Sequence, residues 1–223
     1  IESGEKDRIC VNIPPRHGKS QLVSIFFPAW FLGRNPNKKV MMVSHTTDLA
    51  VDFGRKVRNL IALDVYRSIF PTVKLAQDSK SAGRWNTNVG GEYYACGIGS
   101  ALAGRGADLL LVDDPHSEQD VINGNFGVFE KAYEWFTFGA RTRLMPQGRV
   151  AIIQTRWHLD DLTGRVVRDM GKNERADQYE VVEFPAILDV LDKKTEKTIQ
   201  KPLWPEFFDL EALLRTKASM PVF

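Results

Sequence analysis

The sequence is short of several things, and each shortage excludes a class. It has only two cysteines, Cys10 and Cys96, each inside an apolar run. That excludes a disulfide framework and reads as buried free thiols in a reducing compartment. Its four histidines, His17, His45, His116 and His158, are scattered, with no metal spacing and no paired cysteine, so none reads as a zinc ligand. No charge dominates: 30 basic residues face 28 acidic ones, a net +2. Any nucleic-acid surface must then be a local patch. Arg55, Lys56 and Arg58 form one such patch, which a solvated helix face explains as well. The longest apolar run, Leu22 to Leu32, is too short to span a membrane and is broken by Pro28. No signal peptide is visible in this stretch, nor a G-x-S-x-G elbow, an internal repeat or a low-complexity linker. GIGSALAG (97–104) lacks the spacing of a dinucleotide fingerprint. The chain starts on Ile1 and ends on Pro221-Val222-Phe223, which reads as a fragment of a longer polypeptide.

What is present is ordinary globular composition over 223 residues, enough for one good core. Strand and helix patterns alternate. Arg8 to Ile13, Lys39 to Ser44, Leu109 to Val112, Val150 to Gln154 and Tyr179 to Phe184 read as apolar strands. Helices are expected over Lys19 to Gly33, from Thr46 or Thr47 to about Ile61, over Phe126 to Leu144 and over Asp160 to Met170. Trp85 to Asn88 and Glu92 to Cys96 read as a hairpin around Gly90-Gly91, and Gly97 to Gly106 as a glycine-rich loop. After Lys193 the chain reads as polar and loop-like, with a small peripheral element over Leu203 to Lys217. The alternation predicts an α/β fold with a mostly parallel central sheet flanked by helices. Ligands bind such sheets at the carboxyl ends of strands, and the polar clusters below are expected there.

The chain is organised around ICVNIPPRHGKS (9–20). A β-prone run, a stiff Pro14-Pro15 turn, Gly18-Lys19-Ser20 and a helix-capable stretch follow one another in the order of a phosphate-binding loop. There the backbone N–H groups cradle a polyphosphate, the lysine reaches its outer oxygens and the serine hydroxyl sits on Mg²⁺. Pro15, Arg16, His17, Gly18, Lys19, Ser20 and Gln21 are the candidate nucleotide contacts. The first glycine of the usual pattern is replaced by Ile13, so a strand, a proline turn and a surface lysine is the alternative. Asp113-Asp114 closes the run Leu109 to Val112. Asp113 suits an Mg²⁺ ion held through its water shell, and Asp114, one methylene shorter than the usual Glu, the orientation of an attacking water. Two acids capping a strand before Pro115 is the other reading. Arg16 suits contact with phosphate oxygens, or else shapes the loop. Arg105, between Gly104 and Gly106, suits an arginine finger on a neighbouring subunit, a DNA-phosphate contact, or a solvated loop. Gln154 and Thr155, at a strand end, suit sensing of the γ-phosphate or simple capping.

Four segments in order, PPRHGKS, VSHTTDLAVDFGRKVR, GIGSALAGRGADLLLVDDP and TRLMPQGRVAIIQTRWHLDDLTGRV, resemble the ATPase half of tailed-phage terminase large subunits. The likeness runs from about Ile9 to the end of the chain. KPLWPEFFDLEALL resembles the approach to the family's nuclease half. The resemblance implies a P-loop NTPase of the additional-strand (ASCE) type. It implies an ATP- and Mg²⁺-dependent motor that packages double-stranded DNA as a homo-oligomeric ring on the portal, with a small terminase subunit choosing DNA. It implies the host cytoplasm and transient docking on the procapsid, not the mature virion and not a membrane. Carried over by residue, Lys19 and Ser20 fit the loop lysine and the Mg²⁺ hydroxyl. Arg16 fits the loop arginine, Asp113 the metal acid, Asp114 the catalytic carboxylate position, Thr155 the coupling motif and Arg105 the trans finger. It divides the chain into an ATPase domain, 1–190, and a linker segment, 191–223, leading to a nuclease domain. The adenine-contacting segment should precede the loop strand and looks truncated. The nuclease acids should follow Phe223, so no DNA cleavage is expected. The rivals are a helicase-like ATPase that remodels nucleic acid, and a nucleotide-binding ring-assembly module without turnover.

Overall fold

The computed structural model describes residues 1–79, 81–192 and 196–220. Seven strands form one sheet in the order β3-β4-β2-β5-β6-β1-β7. They are β1 (Arg8–Asn12), β2 (Lys39–Ser44), β3 (Arg84–Asn86), β4 (Glu92–Gly97), β5 (Ala107–Asp113), β6 (Leu144–Gln154) and β7 (Glu180–Glu183). Every neighbouring pair is parallel except β3 with β4, the expected hairpin. The strand β6 lies between the loop strand β1 and the acid-bearing β5, which is the additional strand of the expected fold type.

The central strands read as unbroken apolar runs because both faces of the sheet are covered. Side chains alternate across it. Val40, Met42, Leu109, Leu111, Ala151 and Ile153 pack beneath α1 (Phe27–Arg34) and α2 (Thr47–Ala62). Met41, Val43, Leu110, Val112, Val150 and Ile152 face the opposite layer, which includes Phe136, Ala140 and α6 (Leu162–Lys172). Thr46 caps α2 by accepting from the Leu49 amide, and Asp161 caps α6 by accepting from the Gly164 amide.

Three expectations change in detail, and two short helices are added. The helix after the loop opens as a π-helical segment, Gln21–Phe26, before α1. Pro28 lies at the start of α1 and has no N–H to give a carbonyl one turn back, so the helix loses its regular ladder there. The helix expected over Phe126 to Leu144 is α5 (Gly127–Glu134), a π-helical segment (Trp135–Ala140) and a 3₁₀ turn (Arg141–Arg143), and β6 begins at Leu144. Between Leu63 and Arg84 a short α3 (Asp64–Ile69) forms, and α4 (Glu118–Ile122) follows the paired acids. Beyond residue 195 the chain is not loop-like. β8 (Ile187–Asp192) and β9 (Lys197–Pro202) pair antiparallel, and α7 (Leu210–Ser219) supplies the peripheral element. The apolar pair Val190 and Ile199 sits inside a stretch whose lysines hide the alternation.

Candidate active site

β1 hands over to the loop through Ile13, whose amide donates to the Gln154 carbonyl at 3.2 Å. The position where a first glycine is usual therefore continues the sheet ladder, which any residue can do. Positive φ falls instead on Arg16 (61°) and Gly18 (78°), with His17 between them on the ordinary side. Such alternation turns successive N–H groups to one side and forms an anion-binding concavity. Glycine takes this backbone freely, whereas an arginine there is strained, and strain of this kind collects at functional sites. His17 Nδ1 meets the Pro15 carbonyl at 2.8 Å, and the Leu22 amide donates to the Gly18 carbonyl at 3.1 Å, so that Lys19 and Ser20 lie in the first helical turn. Gln21 is exposed on the first turn, as are Pro15 and Arg16 in the loop.

Lys19 is 8% exposed, and its Nζ lies 2.7 Å from Asp114 Oδ2. The other oxygen, Asp114 Oδ1, accepts the Thr155 amide at 2.9 Å. One carboxylate thus ties the loop to the end of β6. Its backbone is tied as well: the Asp114 amide donates to Ile153 at 2.8 Å, and its carbonyl accepts the His45 amide at 3.2 Å. The φ of Asp114 is 42°, again the left-handed region. The Thr155 hydroxyl closes the circle by donating to the Ile13 carbonyl at 3.3 Å.

Asp113 is fully buried beside this cluster. Ser24, on the π-helical segment, donates to its Oδ2 at 2.7 Å, while Oδ1 is buried without a partner. Burial and the Asp114 carboxylate push the Asp113 carboxyl up to about 6, against the pull of the Ser24 and Ser20 hydroxyls and the Lys19 ammonium. An anionic oxygen sealed without a donor, beside a serine hydroxyl, is a donor set that a hard cation such as Mg²⁺ fits. Among the described residues no cluster of three or more His, Cys, Asp and Glu could hold a metal.

Gln154 ends β6 with an amide that is 2% exposed and has neither atom paired. Ser44, in register with Asp113 on the neighbouring strand, is likewise buried with a free hydroxyl. Ser24 and Ser44 were not readable as site residues. Each is one more serine in an apolar run, and only the π-helical turn and the strand register bring them to Asp113. Arg105 is the residue that leaves the group. It lies at the amino end of β5, the opposite edge of the sheet from Lys19. There it bonds Glu92 at 3.4 Å and covers the Tyr94 ring at 4.5 Å. The expectation that every polar cluster falls at carboxyl ends fails at Arg105, because the glycine-rich loop crosses the sheet before β5 starts.

A sequence model of the family described as terminase large subunit, T4likevirus-type, N-terminal, matches residues 10–124. The chain belongs to this terminase family. The match takes in the loop, both acids and α4. Solved terminases share the fold of this terminase domain: a mostly parallel seven-stranded sheet with flanking helices, the additional-strand P-loop type. The ATPase domain of the large terminase of Thermus phage P74-26 superposes with a TM-score of 0.55 at 16% identity, over 97% of this chain and 84% of that one. The HK97 bacteriophage large terminase gives 0.52 at 14% identity, over 86% of this chain. A large terminase from a thermophilic bacteriophage, solved in complex with ATP-gamma-S, gives 0.50 at 13% identity, over 81% of this chain and 40% of that one. The terminase domain spans only 39% of the HK97 protein. Comparison with curated protein sequences finds no match.

Proposed function

We propose that this domain hydrolyses ATP with Mg²⁺ and is the motor that drives double-stranded DNA into a procapsid. In this reading it works as a ring on the portal, with a small terminase subunit and a nuclease domain as partners. The observation that carries the chemistry is the 2.7 Å contact between Lys19 and Asp114, with the sealed Asp113 beside it. A polyphosphate on the loop competes with Asp114 for Lys19 and, by taking the lysine, frees the carboxylate. Asp114 then orients water and accepts its proton, while Lys19 and Arg16 neutralise charge that develops on the phosphoryl oxygens. Asp113 and Ser20 would hold the Mg²⁺, which supplies further charge neutralisation when bound. Thr155 reports the change, since its amide loses or keeps Asp114 with each turnover, and Gln154 offers its unpaired amide to the γ-phosphate.

Mg²⁺-dependent phosphate release is the test. Lys19→Ala should lower turnover by about a hundredfold or more, the usual scale for a deleted charge-stabilising group. Asp114→Asn should lower it comparably while ATP binds as tightly as before or tighter, because Lys19 no longer has a carboxylate to leave. Turnover that survives Lys19→Ala would overturn the reading. Tight ATP binding by the unsubstituted domain with no phosphate release at any concentration would make it a ring-assembly module, and strand separation would make it a helicase-like remodeller.

A further inference from the structure

His17 makes a contact that phosphate binding does not use. Its imidazole stacks on the ring of Phe208, with centroids 4.9 Å apart and planes 23° from parallel. Phe208 stands just before Asp209, the cap of α7, far along the chain from the loop. The imidazole is fixed from its own loop, with Nδ1 against the Pro15 carbonyl. A carbonyl only accepts, so Nδ1 donates to it. The other ring nitrogen, Nε2, is buried with no hydrogen-bond partner, which is unfavourable.

Phe208 sits on a lightly anchored segment. α7 buries none of its side chains, and Trp204 and Phe207, packed beside Phe208, are 41% and 56% exposed. Phe208 meets the phosphate loop, and Phe207 and Trp204 continue the row of rings away from it, outside the buried core. One ring on the loop and one on a largely exposed segment, facing each other nearly parallel, have the geometry of a closed sandwich.

We propose that His17 and Phe208 are the two jaws of a clip for the base of the nucleotide, and that the clip favours purines. This rests on the reading of the loop as the phosphate site. A base between the rings needs their centroids to part to about 7 Å, two aromatic contacts of about 3.5 Å each. The exposed segment can yield that distance without disturbing the sheet. Nε2 then gains the partner it lacks, from a polar edge of the base or a ribose hydroxyl, which can donate or accept. Stacking tolerates any base but grows with the face that is covered, so the larger purine ring gains more.

The experiment is calorimetric binding of ATP, CTP and inorganic tripolyphosphate, with Mg²⁺, to the unsubstituted domain, Phe208→Ala, Phe208→Trp and Lys19→Ala. Circular dichroism checks that each is folded. The clip predicts that Phe208→Ala weakens ATP by about tenfold to a hundredfold, the range of one base–aromatic stack. Tripolyphosphate should be unaffected, CTP should suffer less than ATP, and Phe208→Trp should restore ATP. Parallel loss of ATP and tripolyphosphate would make Phe208 a mere support for the loop and overturn the clip. So would unchanged ATP binding, which would place the base elsewhere. Tripolyphosphate binding that ignores Lys19→Ala, or no binding of either ligand by the unsubstituted domain, would sink the phosphate-loop reading and the clip with it.

Discussion

At the scale of single residues, the carboxyl edge of the sheet holds polar groups in positions that water would otherwise fill, and His116 shows the cost. It is 4% exposed, packs edge-on against Phe129, and accepts the Leu162 amide through Nε2 at 3.0 Å. Burial lowers its imidazole from the usual 6.5 to about 4. The folded protein therefore holds the neutral ring, while the unfolded chain takes up a proton near pH 6.5. The sign follows: the stabilising contribution is whole above 6.5 and is lost as pH falls toward 4. That loss should reach roughly 3 kcal/mol, the fall from 6.5 to about 4 at about 1.36 kcal/mol per tenfold change in proton affinity. Urea unfolding at pH 7 and pH 4.5 should show it, and His116→Gln, which keeps an acceptor but cannot titrate, should remove much of the pH dependence. The same loss in the variant would move the effect to other groups. Cys10 and Cys96 give the complementary case. Burial pushes both thiols up to about 12, so they carry no nucleophilic thiolate at neutral pH.

At the scale of elements, the π-helical segment after the loop determines how Asp113 is held. Pro28 interrupts the helix, and in the wider turn before it Ser24 reaches Asp113 at 2.7 Å. Ser24→Ala should cost about 1–3 kcal/mol in urea unfolding, the penalty for a buried carboxylate that loses its donor. Asp113→Asn combined with Ser24→Ala should recover part of it, because the buried charge is gone. A Ser24→Ala protein as stable as the unsubstituted one would mean that Asp113 stays protonated and needs no donor. This element also marks where reading the sequence stops. Lys19, Asp113 and Thr155 were legible because each follows an apolar strand run, and strand ends are where α/β sheets place their chemistry. Ser24 carries no such mark, since the pitch of a helix around a proline depends on packing against the sheet. The carboxyl-end placement expected of Arg105 failed for the opposite reason: its glycine neighbours are visible in the sequence, but the edge of the sheet to which the loop delivers it is not. The β8–β9 hairpin was missed because only two short apolar positions, Val190 and Ile199, meet across it.

At the scale of the whole molecule, the sheet separates two polar edges. Its carboxyl edge holds Lys19, Asp113, Asp114, Gln154 and Thr155, whereas its amino edge holds Arg105 with Glu92 and Tyr94. A parallel strand of seven residues such as β5 spans about 23 Å at ~3.3 Å each, so Arg105 cannot reach the nucleotide of its own subunit. Any part it plays in hydrolysis is played on a neighbour, and that role requires the guanidinium to leave Glu92. The two possibilities differ in how activity depends on concentration. A finger delivered in trans makes specific activity climb as subunits associate, and Arg105→Ala should then stay at the dilute level of the unsubstituted protein at every concentration, with its thermal midpoint little changed. A purely structural Arg105 gives the reverse: Arg105→Ala lowers the thermal midpoint through the lost Glu92 pair and Tyr94 contact, while turnover per folded subunit follows the same concentration curve as before. Phosphate release measured over a wide range of protein concentration, with association followed by sedimentation on the same samples, decides between them. Association without any rise in activity would place the stimulating group outside this domain, and Arg105 would remain a brace between β4 and β5.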